Sequence, residues 1–435
     1  MKMKVALINP NWNLHEIKYT TTSVKPPKSI PLELTYIDAS ISQESRIFDA
    51  YARNQTIDEL IQDIEDYDPD MTVLETAPTY LFWRCPPLDL SVPSITSKAI
   101  KQSVGSVSVI IGPHGTTDPM WTKEQTKADV IVRGESDFSI NALIEGNYFK
   151  GILDLRNAPV NLQKLPFPSF KKLNLSLYEP HAWIPEIEKH LVNEGNINLA
   201  LEFSRGCPFT CGYCLKDGFR EKFRTKNSSQ IEKELDFVVD NKGSYVYFID
   251  EIFNKPSKVL NLLLKQLKDR SLKFGNMSRP DIMTYEMIDK MADSGCVYIE
   301  YGLETSNPST SKIMGKNVNQ QKVRDLIEYT KEKIPVVNVF HLDFQSSDYI
   351  DILNLEQDQN VEWHNRPIIP YPGTPIGEKL FEHYGVNKNK WEFALRYVWW
   401  LQIEHSIGQN KNIRDTVLFS DYSRAKSTAY QILSK

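Results

Sequence analysis

The sequence predicts an α/β protein built from two parallel sheets and a helical cap. Three observations carry that reading. Short apolar strands alternate with helical segments over the first third of the chain. A proline-rich stretch without sustained periodicity follows, and then six further strand–helix repeats. At 435 residues the chain is also too long for one ordinary core. The expected organisation is a doubly wound, Rossmann-like domain at 1–147 and a linker at 148–195. A partial (β/α)6 barrel of the TIM type at 196–376 and a helical cap at 377–435 complete it.

In the first domain the strands are KVALINP (4–10), RIFDA (46–50), DMTVLETA (70–77), SVSVIIGPHG (106–115) and ADVIVRGE (128–135). Such short apolar runs suit a parallel sheet covered on both faces. TIDELIQDIEDY (56–67) reads as a helix, with Thr56 as N-cap and Glu59 as its capping-box partner. NAPVNLQKLPFPSF (157–170) reads as a linker crossing the surface between domains. The barrel strands are INLALEFSRG (197–206), YVYFIDEI (245–252), LKFGNMSRP (272–280), CVYIEYGLE (296–304), VVNVFHLDF (336–344) and EWHNRPIIPYPG (362–373). Helices fall between them, the weakest at 347–360. In such barrels the chemistry sits at the C-terminal ends of the strands.

Composition narrows the function classes. Hydrophobic residues make up 41% and charged residues 25%, with a net charge of −5, so no overall basic excess points to nucleic acid. No apolar run is long enough to span a bilayer, and MKMKVALINP lacks the apolar core and cleavage site of a signal peptide. Five cysteines, three of them clustered, do not form a secreted disulfide pattern. A cytoplasmic protein without nucleic-acid or membrane partners is expected.

The cluster of cysteines is FSRGCPFTCGYC (203–214), with Cys207, Cys211 and Cys214 at spacings of four and three. That spacing would fit one face of a helix, but Pro208 and Gly212 argue for a loop. A structural zinc site normally needs four ligands, and no His lies within fifteen residues of the triplet. An iron–sulfur cluster held by three thiolates would leave one iron open to a small molecule. Cys85 and Cys296 read as ordinary small residues.

CPFTCGYC, with an aromatic before its last Cys, resembles the signature of the radical SAM enzymes, and the resemblance covers about residues 195–375. It implies a 4Fe-4S cluster on Cys207, Cys211 and Cys214. S-adenosyl-L-methionine would bind the open iron and be cleaved to a 5′-deoxyadenosyl radical. YFIDEIF places Asp250 and Glu251 near the methionyl amine, and NMSRPD offers Arg279 to the methionyl carboxylate. YGLETSNPSTSKIMGK brings Gly302 and Glu304, the latter for the ribose hydroxyls. Tyr213 and Tyr371 complete the implied contacts with S-adenosylmethionine. HLDFQSSDY (341–349) departs from the Gly-Pro-Gly-Glu-like turn usual after the fifth strand.

PYPGTPIGEKL (370–380), VIIGPHGTTDP and ADVIVRGE are similar to segments of the cobalamin-binding radical SAM subgroup. No G-x-G-x-x-G follows the first strand, which disfavours a dinucleotide. The resemblance implies cobalamin at the strand-end loops. Its contacts would be Pro10, Thr76, Ala77, Pro78, Trp83, Gly112, Pro113, His114, Gly115, Gly134 and Glu135. Tyr80, Phe82 or Arg84 could equally face the corrin or pack between domains. NLHEIK carries Asn13 and Lys18 where many corrinoid proteins have Asp and Gly, so His15 is not expected to ligate cobalt. The implied activity is methyl transfer from methylcobalamin to an unactivated carbon or phosphorus of a small molecule. A second S-adenosylmethionine would remethylate cob(I)alamin, and a flavodoxin or ferredoxin would supply electrons. The alternatives are a cobalamin-assisted cyclisation, ring contraction or rearrangement, and a non-catalytic electron-transfer or sensing module. Glu304 and PYPGTP disfavour the last, because an electron carrier needs no nucleoside pocket.

Overall fold

The computed structural model describes residues 3–13, 28–79, 85–178, 197–216, 220, 222–316, 318–343 and 364–408. His15, Trp83 with its neighbours at 80–84, and the helix expected at 347–360 lie outside them.

Six strands form the first sheet: β1 (Lys4–Asn9), β2 (Glu44–Asp49), β3 (Met71–Glu75), β4 (Val107–Ile111), β5 (Val130–Arg133) and β6 (Gly151–Asp154). All pairs are parallel, in the order β2-β1-β3-β4-β5-β6. The order reverses between β1 and β3, and that switch point is where such sheets hold ligands. Alternate residues build two cores. Val5, Leu7, Met71, Val73, Val109, Val130 and Val132 pack on α1 (Leu32–Ser40). Ala6, Ile8, Leu74, Ile110 and Ile131 face the other side. There α2 (Ala50–Arg53) precedes α3 (Ile57–Tyr67), and α4 (Ser91–Ser103) lies beside α3. The Thr56–Glu59 capping box that starts α3 is present. Three short helices, α5 (Pro113–Thr117), α6 (Pro119–Thr126) and α7 (Ser139–Glu145), follow β4 and β5.

Strand β6 comes from residues the sequence assigns to the linker. Further along, Val160, Leu162, Leu165, Phe170 and Tyr178 are buried in a core shared with the barrel and with Leu32 and Tyr36 of α1. The stretch between the domains therefore contributes packing as well as length. Its prolines hide the apolar residues from any periodicity test.

The second sheet contains β7 (Asn198–Leu201), followed by a small antiparallel pair, β8 (Ser204–Arg205) with β9 (Arg224–Thr225). It continues through β10 (Tyr245–Phe248), β11 (Lys273–Ser278), β12 (Cys296–Glu304), β13 (Val336–Asp343) and β14 (His364–Pro367). Its order is strictly sequential, β7-β10-β11-β12-β13-β14, and every pair is parallel. Helices α8 (Ser228–Asp240), α9 (Lys258–Asp269), α10 (Tyr285–Asp293), α11 (Pro308–Ile313) and α12 (Gln320–Lys333) connect successive strands. Leucines at helical spacing on α9 (Leu260, Leu263, Leu264 and Leu267) are all buried. The cap is α13 (Pro375–His383) and α14 (Lys390–Gly408). Leu88, Leu90 and Trp121 of the first domain meet Leu215, Tyr371, Phe381 and Trp391 in one apolar cluster, so the cap touches both sheets' ends.

Candidate active site

The cysteine loop leaves the C-terminal end of β7 and is fixed mainly by backbone contacts. Gly206 has φ 87°, and a Cβ there would lie 2.2 Å from the Lys222 carbonyl oxygen, so only glycine fits. The Cys207 amide donates to the Arg220 carbonyl at 2.9 Å, and the Cys214 amide to the Cys211 carbonyl at 3.0 Å. Gly212 donates to the Met314 carbonyl at 3.0 Å. Gly315, at φ 75°, leaves room for Thr210: a Cβ would approach that carbonyl oxygen to 2.5 Å. The glycine of SKIMGK thus lets two distant segments meet.

Cys207 and Cys211 are buried and Cys214 is half-buried, all with free thiols. Desolvation pushes the Cys207 thiol up, and it pushes Cys214 far up together with the neighbouring Cys211 and Cys207. Thiolates here need a cation, which iron would supply. Among the described residues no three His, Cys, Asp or Glu side chains are arranged to share one metal ion. A cluster differs from a single ion in spreading its thiolates over separate irons, so the donor set fits it better than zinc.

Asp250 and Glu251 follow β10 and point at the backbone of the cysteine loop. Asp250 accepts from the Ser204 amide at 2.6 Å, from the Ser204 hydroxyl, and from the Phe203 amide at 3.4 Å. Burial pushes its carboxyl up to about 8, against the lowering effect of Ser204. Glu251 accepts from the Gly206 amide at 3.0 Å and pairs with Arg220. Arg279 donates from Nη1 to Cys211 Sγ at 3.1 Å and grips Asp281 through Nε and Nη2 at 3.0 and 2.8 Å.

Glu304 stands at a left-handed position, φ 72°, where β12 slips register against β13. Its carboxylate accepts from Lys316 Nζ at 3.1 Å, and the same ammonium donates to the Gly302 carbonyl. A Cβ at Gly302 would come within 2.7 Å of Glu304 Oε1. Tyr213 lies among these groups: burial, Glu304, Cys211 and Cys214 all raise its phenol. The structure therefore brings the triplet, Tyr213, Arg279, Gly302 and Glu304 to one end of the barrel. The phenol of Tyr371 is directed elsewhere, donating to the Pro86 carbonyl at 3.0 Å.

The first domain presents Pro10, Thr76, Ala77, Pro78 and Gly112 with the first residues of α5, Pro113 to Gly115, at its strand ends. Gly112 has φ 122°, while Gly115 is needed for packing, since a Cβ would meet Ile131 at 2.7 Å. His114 is buried against Trp391, ring centroids 4.3 Å apart, and burial lowers its pKa to about 3. Its Nε2 must donate to the Pro87 carbonyl at 2.8 Å, since a carbonyl only accepts, which leaves Nδ1 bare and unpartnered. Glu75 and Thr76 are fully buried, with both Glu75 oxygens and the Thr76 hydroxyl unpartnered. Burial pushes Glu75 well up, Glu33 up to about 7 and Asp49 up to about 6, so burial at this edge disfavours the charged form of all three acids.

Gly134, at φ 95°, leads into the loop of Glu135 and Asp137, which crosses to the barrel. Glu135 accepts from Arg220 Nε at 3.1 Å, from both terminal nitrogens of Arg224 at 2.9 Å, and from the Val160 amide at 2.7 Å. Asp137 takes Arg205 bidentately at 2.7 and 2.8 Å, and Glu202 takes the same guanidinium at 2.6 Å. Both Glu135 oxygens are thus committed to the protein. Sequence reasoning missed Asp137, Arg205, Arg220, Asn254 and Lys316. Their partners lie far away in the chain, apart from Glu202 for Arg205 and Glu304 for Lys316; Arg205 and Lys316 fall inside the FSRGCPFTCGYC and YGLETSNPSTSKIMGK segments, but their residue type there does not reveal whom they pair with.

Residues 201–355 match the family model described as the radical SAM superfamily. The chain carries a radical SAM domain. The domain's cysteine loop and Glu304 both fall inside the matched span. Over 406 residues the chain is 24% identical to an uncharacterised methyltransferase of Pyrococcus horikoshii, covering 86% of this chain and 83% of that protein. It is 25% identical over 308 residues to bacteriochlorophyllide d C-8(2)-methyltransferase of Chlorobaculum tepidum, covering 66% and 65%. In structure it is similar to the radical S-adenosylmethionine methyltransferase TsrM of Kitasatospora setae, solved with cobalamin and a [4Fe-4S] cluster. That match has a TM-score of 0.63, 14% identity, and covers 88% of this chain and 76% of that one. The cobalamin-dependent radical enzyme OxsB, solved with aqua-cobalamin and S-adenosylmethionine, gives a TM-score of 0.60 at 18% identity, covering 91% and 56%. These structural likenesses cover most of the chain and show an α/β fold of two parallel sheets. No helix among the described residues is long and apolar enough to cross a membrane.

Proposed function

We propose that the protein is a cobalamin-dependent radical SAM methyltransferase. It would move a methyl group from methylcobalamin to an unactivated carbon or phosphorus atom of a small molecule. One observation supports this most: the C-terminal edge of the first sheet is tied to the cysteine loop and the segment after it by buried ion pairs, Asp137 to Arg205 and Glu135 to Arg220, with neither carboxylate more than 5% exposed. A ligand at that edge would therefore face the chemistry at the barrel end at a fixed separation.

When bound, the cluster and S-adenosylmethionine supply one-electron cleavage of a sulfonium, and the corrinoid supplies a transferable methyl group. The chain's own residues bind and orient. Cys207, Cys211 and Cys214 would hold the cluster. Glu304, steadied by Lys316, would accept ribose hydroxyls. Arg279 has two N–H groups beyond those given to Asp281 and Cys211, and these suit the methionyl carboxylate. The corrin fringe bears neutral amides. A protonated Glu75 can donate one hydrogen bond and accept another, and Thr76 and His114 Nδ1 add further unpartnered groups, so the edge suits that fringe. A flavodoxin or ferredoxin would deliver the electron.

The test is anaerobic reconstitution with iron, sulfide and hydroxocobalamin under reducing conditions, followed by methyl-labelled S-adenosylmethionine. About one cobalamin per chain, and label appearing on it, is the expected result. A protein that holds the cluster but takes up no cobalamin would refute the methyl-transfer reading in favour of a radical cyclase or mutase.

A further inference from the structure

We propose that Arg279 sets the reduction potential of the cluster through its hydrogen bond to Cys211 Sγ, an inference that rests on the cluster assignment above. Arg279 follows β11, one strand beyond the neighbour of β7, and reaches the cysteine loop from the side. Its Nη1 lies 3.1 Å from the sulfur, in a site where the side chain is only 9% exposed. Charge-assisted bonds of this kind are the strong ones, and a low local dielectric strengthens them further.

The donor is held in place by three residues. Asn254 clamps the Arg279 backbone from both sides, accepting from its amide at 2.9 Å and donating to its carbonyl at 2.7 Å. Asp281 fixes Nε and Nη2 at 3.0 and 2.8 Å. The guanidinium carbon sits 3.8 Å from the ring centroid of Phe209, which belongs to the same loop as Cys211. A flexible cation would swing to follow solvent or substrate. This one is aimed at one sulfur.

The physical consequence concerns a charge that changes. One-electron reduction places extra negative charge on the cluster and its thiolates. An N–H donor fixed at a thiolate stabilises the reduced form more than the oxidised form, so the potential rises. Asp281 opposes this by partly cancelling the guanidinium charge. The two residues therefore act with opposite signs on the same quantity.

The test uses full-length protein, anaerobically reconstituted, with electron paramagnetic resonance following a dithionite titration in the absence of S-adenosylmethionine. Omitting that ligand separates the effect from any role of Arg279 in binding it. Arg279→Gln should retain iron and sulfide and show a more negative midpoint. Arg279→Lys keeps the charge without the fork and should fall between the two. Asp281→Asn should move the midpoint the other way. If Arg279→Gln loses the cluster, the lysine and asparagine variants decide. Midpoints equal to wild type in variants with full iron would overturn the proposal while leaving the cluster assignment intact. A wild-type protein with no cluster signal would remove both.

Discussion

Glu135→Gln tests whether the two domains act as one unit. Glu135 sits on the first domain, and the three arginines around it belong to the barrel. Desolvation opposes its ionisation, but Arg220, then Arg224 and Arg205, outweigh that and hold the carboxyl at about 2 against 4.5. That displacement corresponds to about 3 kcal/mol favouring the folded, ionised form. The figure is an upper bound, because Asp137, Glu202 and Glu251 still face the arginines in the variant. The glutamine keeps the shape and removes the charge. Urea unfolding of the reconstituted protein at pH 7 should show a loss of about 2–3 kcal/mol. It should also split one transition into two as the domains uncouple. The sign with pH follows from the lowered pKa. The contribution is complete above about 4.5 and is lost as pH falls toward about 2, so wild type and variant should converge in acid. An unchanged midpoint at pH 7 would mean that the network adds nothing beyond its own desolvation cost.

Changing Cys207, Cys211 and Cys214 singly to Ala should remove most of the iron and abolish reductive cleavage of S-adenosylmethionine, whereas Cys85→Ala and Cys296→Ala should leave iron content unchanged; full iron in the triple variant would end the cluster assignment. Glu304→Ala should weaken S-adenosylmethionine binding by about 1.5–3 kcal/mol, or about 10- to 100-fold, with the cluster intact. Unaltered affinity by calorimetry would move the ribose site elsewhere. Gly206→Ala forces a Cβ against the Lys222 carbonyl at a left-handed position, so iron retention should fall although no ligand is changed. Normal iron content in that variant would show that the loop relaxes freely.

The sequence by itself determined the two-sheet α/β plan, the strands of both sheets apart from β6, and the cysteine triplet. Each of these is written locally, as alternation, capping or spacing within a dozen residues. The Thr56–Glu59 box and the placement of Cys207, Cys211 and Cys214 beyond β7 needed no distant partner to be legible. Strand β6 was hidden because GILD is too short a run to show a period, and the buried apolar residues further along the expected linker were hidden because proline interrupts the pattern by which burial is recognised. The assignments that depend on orientation belonged to the tertiary structure. Glu135 and Tyr371 sit on recognisable segments, yet the side chain of one is given to three arginines and the phenol of the other to Pro86. Arg279 was visible as a cation near the site, but not its bond to Cys211, 68 residues away. Which group an ionised side chain meets depends on distances of a few ångströms between segments far apart in the chain. The packing of the two sheets against each other sets those distances for Glu135 and Tyr371, and the strand order within the second sheet sets it for Arg279.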